Sequence, residues 1–430
     1  MRIYINSFVI IAIFFVFPHI SFAYTTKEKE KLRNNEVIKK LMQEYIVTEN
    51  SEKKDEIKKG ITRIESNPEK LKELLINSVK YHETRFAIHE KLVKFNKKRG
   101  RYFLYIPKGY NPDTSYPLIV SLHGVGEGGF ASMRRWLRDS NHGQKYIFLC
   151  PHYGSGYWWE KDGEDLVLNS IKQVCAEQNI DNDRIYLTGF SSGAHGVWYI
   201  SIRNPDIFFF FLPIAGECVI SQQIGNLLHV PVFIIHGDQD GVIPIAAARD
   251  ARGKLEKLNY EFKYLEIPGQ RHTYPTKKSN EILNWFESKK RESRPHTIHF
   301  SGDLSHERYI YWIKCKEIVE CFDYLDSPPP KKSQESLSND IDNFHVNECH
   351  RIDIKVKENK IIVKSQNIKN MLLFLDDKLI DITRPVDVIV NDKPKFSGFV
   401  NPSIDSLFNC IDQEIGKHGI FTRCIELNKL

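Results

Sequence analysis

The chain has 430 residues, of which 41% are hydrophobic and 27% are charged, and its formal net charge at pH 7 is +6. A hydrophobic fraction of this size excludes a wholly disordered protein, and so weak an excess of positive charge, spread over this length, gives no reason to expect a nucleic-acid partner. The length predicts two or three domains.

The first 23 residues have the features of a secretory signal peptide. Arg2 precedes an apolar run at residues 8–17, and residues 21–23 match a small-x-small cleavage site. A membrane anchor is the alternative, but Pro18 interrupts the run, and a bilayer-spanning helix needs about 20 apolar residues. We therefore expect residues 1–23 to be removed, and the mature protein to be secreted or periplasmic with no stable membrane insertion.

Residues 24–98 are rich in Lys and Glu and carry apolar residues at helical spacing. The apolar positions are Val37, Ile38, Leu41, Met42, Tyr45, Ile46, Leu71, Leu74, Leu75 and Val79. This pattern predicts a helical N-terminal segment of two or three amphipathic helices, one of which begins at Pro68 after Asn67. The segment is too short for a β-propeller, whose blades each take some 40–50 residues.

Residues 99–292 alternate between short β-prone runs and helical stretches. The β-prone runs are 117–122, 147–150, 185–187, 208–214, 232–235 and 262–267, and the helical stretches are 163–178, 246–258 and 279–289. Alternation of this kind predicts an α/β domain with a mostly parallel sheet. The run 208–212 is apolar throughout, which indicates a strand buried on both faces.

The pentapeptide Gly189-Phe190-Ser191-Ser192-Gly193 matches G-x-S-x-G, the nucleophile elbow of the α/β-hydrolases. Three fixed residues in five occur often by chance, but a β-prone run precedes this match and a possible helix follows it, as the motif requires. A serine hydroxyl is a weak nucleophile that needs a base and oxyanion donors nearby. We therefore predict Ser191 as the nucleophile and the backbone N–H of Ser192 as one oxyanion donor.

Further polar residues follow later β-prone runs in the chain order of the α/β-hydrolases, which is Ser, acid, His. The run 232–235 ends in His236-Gly237-Asp238-Gln239-Asp240, which offers two possible acids. Four histidines could be the base, namely His123, His195, His236 and His272. Only His272 lies on a loop after a strand and downstream of the acid, so it is the predicted general base.

The stretch RYFLYIPKGYNPDTSYPLIVSLHG, the elbow and HGDQD together resemble secreted esterases related to polyhydroxybutyrate depolymerases and feruloyl esterases, over roughly residues 99–290. The resemblance implies an open parallel sheet with helices on both faces. It implies Asp240 as the acid, because these enzymes use the second Asp of H-G-x-x-D, and leaves Asp238 as a turn residue. It places the second oxyanion donor after His123, where we choose the N–H of Val125 over that of Gly124.

The chain departs from these esterases at the end of the elbow, where the family often has Gly-Gly and this sequence has Gly193-Ala194. The extra methyl group calls into question the tight packing of helix on sheet, not the chemistry. His123 itself is interpreted as a structural residue of its turn.

Substrate-contacting residues are less marked in the sequence. Trp158 and Trp159 follow the run that ends at Cys150, and loops at that edge of an α/β sheet form the ligand crevice. We predict both as substrate contacts, with core packing as the alternative, and Glu217 and Cys218 as further candidates. The chain has eight cysteines, which in an exported protein permit disulfides, but no C-x-x-C pair. No metal and no cofactor are predicted.

Residues 293–430 contain many short β-prone runs and no convincing long helix, which predicts a β-rich accessory domain, a small sandwich. Residues 326–340, with three consecutive prolines at 328–330, are predicted as a flexible insertion. The region resembles C-terminal regions attached to esterase-like hydrolases of environmental bacteria. This resemblance implies no catalytic activity for the region.

The sequence thus predicts an exported serine esterase acting on a small-molecule or polysaccharide-linked ester. A serine peptidase of the prolyl oligopeptidase-like superfamily would use the same residues and is the main alternative. A non-catalytic carbohydrate-binding or interaction protein is a further one. The sequence leaves the oligomeric state and the natural ester open.

Overall fold

The computed structural model of the chain describes residues 26–48, 50–138, 145–154, 157–287, 291–302, 308–318, 350–411 and 419–430. The predicted signal peptide and the predicted insertion at 326–340 lie outside the described residues. The chain divides into two compact units, one ending at Ile64 and the other beginning at Glu65. Within the part of the chain just given, no helix is long and apolar enough to span a bilayer.

The first unit consists of two helices, α1 (Thr26–Val47) and α2 (Ser51–Ile64). Met42 of α1 is buried, as are Ile57 and Ile61 of α2, which lie one helical turn apart on the same face. The helical period predicted for this stretch is confirmed.

The second unit opens with a third helix and then a strand that the sequence analysis missed. Helix α3 (Pro68–Ile76) begins at Pro68, and the Asn67 side chain caps it by accepting from the N–H groups of the next turn. The prediction of helix up to residue 98 is wrong, because β1 (Ala87–Phe95) pairs antiparallel with β2 (Lys98–Ile106) in one-to-one register. The two connecting residues both have positive φ, as a tight hairpin turn of type I′ requires.

The main sheet has eight strands in the order β1-β2-β4-β3-β5-β6-β7-β8. Its remaining strands are β3 (Tyr116–Leu122), β4 (Ile147–His152), β5 (Ile180–Phe190), β6 (Phe210–Ile214), β7 (Val232–Gly237) and β8 (Phe262–Ile267). The connecting helices are α4 (Gly129–Arg138), α5 (Lys161–Glu177), α6 (Ser192–Arg203), α7 (Ile245–Leu258) and α8 (Ser279–Glu287). Strands β3 to β8 are all parallel to one another, while β2 is antiparallel to both of its neighbours, β1 and β4. The predicted mostly parallel α/β fold is confirmed.

Strand β3 lies at the point where the strand order reverses. The chain leaves β3 for its neighbour β4 on one side and then crosses to β5 on the other side. Ligands of open α/β sheets bind in the crevice at the carboxyl ends of the strands beside such a switch point. The loops that follow β3, β5, β7 and β8 all leave from this edge of the sheet.

Strand β6 is apolar throughout because every one of its positions is buried. Phe210 points to one face, where its ring lies 4.3 Å from the ring of Phe286 in α8. Phe211 points to the other face, where its ring lies 5.2 Å from the ring of Trp198 in α6. Helices therefore cover both faces of the sheet, as predicted.

The C-terminal region contains two further sheets. Its strands are β9 (Thr297–Gly302), β10 (Arg308–Ile310), β11 (Ile313–Ile318), β12 (His350–Lys357), β13 (Lys360–Gln366), β14 (Ile368–Leu375), β15 (Val386–Val390), β16 (Lys393–Gly398) and β17 (Arg423–Leu427). One sheet has the order β16-β15-β13-β12-β9 and the other β10-β11-β14-β17. Buried residues of both sheets, such as Ile354 and Leu373, belong to one hydrophobic core. The β-rich prediction is confirmed, but β17 and the short helix α9 (Ile404–Ile411) were not predicted.

Buried polar contacts cross the predicted boundary between residues 292 and 293. The Asn226 side chain, 1% exposed, accepts from the Ser301 N–H at 2.8 Å and donates to the Ser301 carbonyl at 2.9 Å. Arg308 donates to the side-chain oxygen of Asn204 at 2.7 Å. Strands β9 and β10 are therefore fastened to the α/β region by specific hydrogen bonds.

Candidate active site

Ser191 occupies the turn between β5 and α6 in a strained backbone conformation, with φ 58° and ψ −124°. A non-glycine residue pays a conformational cost there, and the surrounding structure must hold it. The Ser191 N–H donates to the carbonyl of Ile214 at 3.0 Å, and its own carbonyl accepts from the Ala194 N–H at 2.8 Å. These bonds fix the turn between strand and helix, so that the hydroxyl is presented at its tip.

Glycines are required on both sides of Ser191 because neighbouring backbone comes too close for a side chain. A Cβ atom on Gly189 would lie 2.4 Å from the carbonyl oxygen of Gly193, and one on Gly193 would lie 2.4 Å from that of Leu122. The methyl group of Ala194, which departs from the Gly-Gly of the resembling esterases, packs against Gly216, where a Cβ would lie 2.3 Å from it. A glycine on the neighbouring strand end therefore accommodates the extra methyl.

The structure brings Ser191, His272 and Asp240 together from the loops after β5, β8 and β7. The Nε2 atom of His272 lies 2.9 Å from the Ser191 Oγ, and its Nδ1 atom lies 2.7 Å from Oδ2 of Asp240. Both distances are those of good hydrogen bonds. A neutral imidazole protonated at Nδ1 satisfies both contacts, because Nδ1–H then donates to the carboxylate and Nε2 accepts from the hydroxyl.

The Asp240 carboxylate is fully buried and fully hydrogen-bonded. Its Oδ1 atom accepts from the backbone N–H groups of Val242 and Ile243, each at 2.9 Å. Burial raises the pKa of Asp240, but the hydrogen bonds from His272, Ile243 and Val242 outweigh it and hold the pKa below its ordinary value. Asp240 is therefore an anion at neutral pH.

The other two polar residues of HGDQD support this loop. The Nε2 atom of His236 lies 2.9 Å from the carbonyl oxygen of Ile243, to which it donates, and so holds the loop beyond Asp240. Asp238 accepts from the Gly269 N–H at 2.7 Å and ties the loop of the acid to the loop that carries His272. Asp238 thus makes a loop contact, in agreement with its interpretation as a turn residue.

The turn after β3 lies directly against the elbow. The Glu127 N–H donates to the Gly124 carbonyl at 3.2 Å, and Gly126 has φ +76°, which is typical of the third position of a type II turn. A Cβ on Gly124 would lie 3.4 Å from the Cβ of Ser191. The backbone of this turn therefore packs against the Ser191 side chain, next to the Cβ atom that carries the hydroxyl group.

The backbone N–H groups of the elbow and of the turn after β3 differ in whether they have a hydrogen-bond acceptor. Within the part of the chain that the structure describes, neither the N–H of Val125 nor that of Ser192 has a hydrogen-bond acceptor. The N–H of Gly124, in contrast, donates to the Glu127 carboxylate at 3.4 Å. This arrangement favours Val125 over Gly124 as the second donor of an oxyanion hole.

His123 stabilises the turn after β3 through both of its ring nitrogens, as its structural interpretation requires. Its Nδ1 atom lies 2.9 Å from the Gly124 carbonyl oxygen, and its Nε2 atom accepts from the Tyr153 N–H at 3.2 Å. Burial lowers the pKa of His123, so the ring is neutral.

The indole N–H of Trp158 donates to the His123 carbonyl at 2.9 Å, and Trp158 is only 3% exposed. Trp158 is therefore a buried support of the turn, which corrects its prediction as a substrate contact.

Trp159 and Tyr157 lie nearer the surface than Trp158. The two rings are stacked with centroids 4.6 Å apart, and Tyr157 is 49% exposed. The Trp159 ring also lies 5.2 Å from the ring of His195, whose pKa is lowered to about 4, first by burial and then by the nearby His272 and His236. The predicted contact between substrate and Trp159 remains a prediction.

The remaining candidates differ in exposure. Cys218 is buried, and Glu217, which precedes it, is exposed. Among the described residues, no two cysteines form a disulfide, and no cluster of His, Cys, Asp and Glu is arranged to hold a metal ion.

A family profile described as Phospholipase/Carboxylesterase matches residues 159–288, a stretch that contains Ser191, Asp240 and His272. The central region has the α/β-hydrolase fold. Its profile match, sheet order and strand–turn–helix elbow all agree with this assignment.

Three curated relatives of this domain are named as esterases or as a depolymerase. A bifunctional acetylxylan esterase/xylanase of Neocallimastix patriciarum is 27% identical over 41% of this chain and 26% of its own length. Feruloyl esterase D of Neurospora crassa is 25% identical over 38% of this chain and 61% of its own length. Poly(3-hydroxyalkanoate) depolymerase C of Paucimonas lemoignei is 30% identical over 26% of this chain and 30% of its own length. The resemblance seen in the sequence is confirmed, and the chain spans between about a quarter and three fifths of these relatives.

Three residues around the α/β-hydrolase site were missed in the sequence. Glu127 and Arg135 pair beside the turn after β3, and Gly216 makes room for Ala194. The sequence held a hint of Gly216, because the extra methyl group of Ala194 requires a small residue next to it. Glu127 and Arg135 had none, since their contacts join elements that are distant in sequence.

Proposed function

We propose that the protein is a serine hydrolase that cleaves carboxylic esters through an acyl-enzyme. The observation that carries the proposal is the hydrogen-bonded chain from the Ser191 hydroxyl through His272 to the buried Asp240 carboxylate. The esterase names of the curated relatives support ester bonds as the target.

In this mechanism the Ser191 Oγ attacks the ester carbonyl while His272 Nε2 takes its proton. Asp240 holds the Nδ1–H and stabilises the imidazolium that forms. The N–H groups of Val125 and Ser192 bind the negative oxygen of the tetrahedral intermediate. His272 then gives its proton to the leaving alcohol, and a water molecule, activated in the same way, releases the acid from Ser191.

The proposed substrate is an ester of a small molecule or of a polysaccharide. The stacked rings of Tyr157 and Trp159 offer a flat surface on which a sugar or an aromatic acyl group would stack. The proposed reaction requires neither a metal nor another cofactor, because the serine, the imidazole and the backbone donors supply every step.

A fluorophosphonate label followed by a substrate panel tests this proposal. The wild-type protein should be labelled on Ser191 and should hydrolyse p-nitrophenyl acetate and feruloyl or acetyl-sugar esters, whereas Ser191→Ala should do neither. Strong cleavage of prolyl peptides with negligible ester cleavage would move the protein to the peptidase class. Absence of labelling and of all turnover would favour a non-catalytic binding protein.

We also propose that the protein is exported, with residues 1–23 removed. The short apolar run and the small-x-small site of the N-terminus support this proposal. N-terminal sequencing of exported protein should start near Tyr24. Recovery of the intact N-terminus in a membrane fraction would instead indicate an anchor.

A further inference from the structure

Arg135 of α4 lies at the meeting point of three loops of the candidate site, although it belongs to none of them. Its side chain is only 15% exposed. It contacts the turn after β3, the elbow after β5 and the loop after β8. A charged side chain is rarely buried to this extent unless its partners hold it there.

The first contact reaches the turn that carries the proposed oxyanion donor Val125. The Arg135 guanidinium donates through Nη2 to Oε1 of Glu127. The other oxygen of the same carboxylate, Oε2, accepts from the Gly124 N–H at 3.4 Å. Glu127 therefore connects Arg135 to the residue that immediately precedes Val125.

The second and third contacts are with one aromatic ring of the elbow and one of the loop that carries His272. The Arg135 guanidinium carbon lies 5.6 Å from the ring centroid of Phe190, the elbow residue before Ser191. It lies 4.7 Å from the ring centroid of Tyr274, two residues beyond His272. The Phe190 ring in turn lies 5.0 Å from the His272 ring.

Arginine suits this position for a physical reason. Its planar guanidinium can stack on aromatic faces while its N–H groups donate in the plane, and it stays charged at every working pH. A lysine would keep the ion pair with Glu127 but would lose the flat face, and a methionine would keep only the packing volume.

We propose that Arg135, acting through Glu127, Phe190 and Tyr274, is a positioning residue that holds the oxyanion turn and the His272 loop in register with Ser191. The inference rests on the proposed esterase function and deepens it. The Arg135 side chain transfers no proton and forms no bond with substrate. Its effect is to fix the position of the Val125 N–H relative to the substrate carbonyl oxygen that becomes the oxyanion.

The proposal predicts a defect in turnover, not in substrate binding. Small displacements of a catalytic group cost up to about 100-fold in rate, so Arg135→Met should lower kcat for p-nitrophenyl acetate by about 10- to 100-fold, with KM changed by less than about threefold. Arg135→Lys should lie between Arg135→Met and the wild type. Glu127→Gln should reproduce much of the loss, because the neutral amide weakens the link to the turn.

Binding of a transition-state analogue separates positioning from general damage. An alkyl boronic acid forms a tetrahedral anion on Ser191, so its affinity should fall in Arg135→Met in step with kcat/KM. Because Arg135 and Glu127 act as one unit, the double variant Glu127→Gln/Arg135→Met should be little worse than the worse single variant. Arg134→Met is the matched control, since Arg134 is exposed on the same helix and its side chain makes no hydrogen bond or ion pair with any described residue. It should leave kcat unchanged.

The results separate this proposal from the proposed function. If Ser191→Ala abolishes turnover while Arg135→Met and Glu127→Gln both keep kcat within twofold of wild type, the positioning role is refuted and the esterase stands. Additive losses in the double variant, or boronate affinity unchanged while kcat falls, would refute it as well. If Ser191→Ala retains turnover, the proposed function itself fails. Glu127→Gln, at a partly exposed turn, provides the test should Arg135→Met not fold.

Discussion

Replacing Asp240 by asparagine should disable the proposed reaction, because it moves one proton of the His272 imidazole from Nδ1 to Nε2. The Oδ1 atom of Asp240 accepts from two backbone N–H groups, those of Val242 and Ile243, so an amide at this position must place its oxygen there. Its NH₂ group then faces His272 Nδ1, which lies 2.7 Å from the present Oδ2 atom. Two donors cannot face each other, so Nδ1 must become an acceptor and the imidazole proton moves to Nε2. That proton faces Ser191, and the base can no longer accept from the hydroxyl.

The expected loss in Asp240→Asn is about 10⁴-fold in kcat, as for a wrong imidazole tautomer in other serine hydrolases, equivalent to about 5.5 kcal/mol of activation free energy. The assay is hydrolysis of p-nitrophenyl acetate at pH 7, with a urea unfolding curve for each variant. The variant should still fold at pH 7, because the two backbone bonds remain, and should lose only the stability that the ionised carboxylate contributes. Asp238→Asn is the matched control, since its carbonyl can still accept from Gly269. Turnover within tenfold of wild type in Asp240→Asn, or an equal loss in Asp238→Asn, would refute the reasoning.

Three further predictions follow from the structure. Ser192→Ala should keep kcat within a fewfold of wild type, since alanine retains the backbone N–H, and a loss above 100-fold would show that the hydroxyl takes part. Gly193→Ala should yield insoluble or inactive protein, because its Cβ would lie 2.4 Å from the Leu122 carbonyl oxygen, and a soluble, active variant would contradict this packing. The lowered pKa of Asp240 means that its ionised form stabilises the fold above the unfolded-state pKa of about 3.9, and that this stability is lost as pH falls through the folded-state pKa. The stability difference between wild type and Asp240→Asn, measured by urea unfolding from pH 6 to pH 2.5, should therefore shrink below about pH 4, and a constant difference would be evidence against it.

The elements nearest to the candidate site were the ones most readily predicted from sequence. Ser191, Asp240 and His272 each follow a short β-prone run, and parallel strands bring their carboxyl ends to one edge of a sheet. Chain order and strand position therefore sufficed to select His272 from four histidines and to place it near Ser191.

The failures of sequence reasoning share a physical cause, which is dependence on partners distant in the chain. The composition of residues 87–95 suits a helix, but the hairpin with β2 buries Val93 and Phe95 on the sheet and overrides it. Trp158 lies on a loop at the right edge of the sheet, yet its indole N–H finds the His123 carbonyl and the ring is buried beneath the turn. The local sequence pattern does not reveal contacts between residues that are distant in the chain.

The junction between the α/β-hydrolase domain and the C-terminal sheets argues against treating those sheets as a detachable accessory. Asn226 is almost wholly buried and makes hydrogen bonds to both the N–H and the carbonyl of Ser301, besides donating to Ile202 at 3.1 Å. Removing β9 would leave the Asn226 amide without two of these hydrogen bonds, each of which contributes about 0.5–1.5 kcal/mol net to stability. Ile202 lies in α6, the helix that begins at the elbow, so this strand helps to fix the far end of the helix on which Ser191 is mounted.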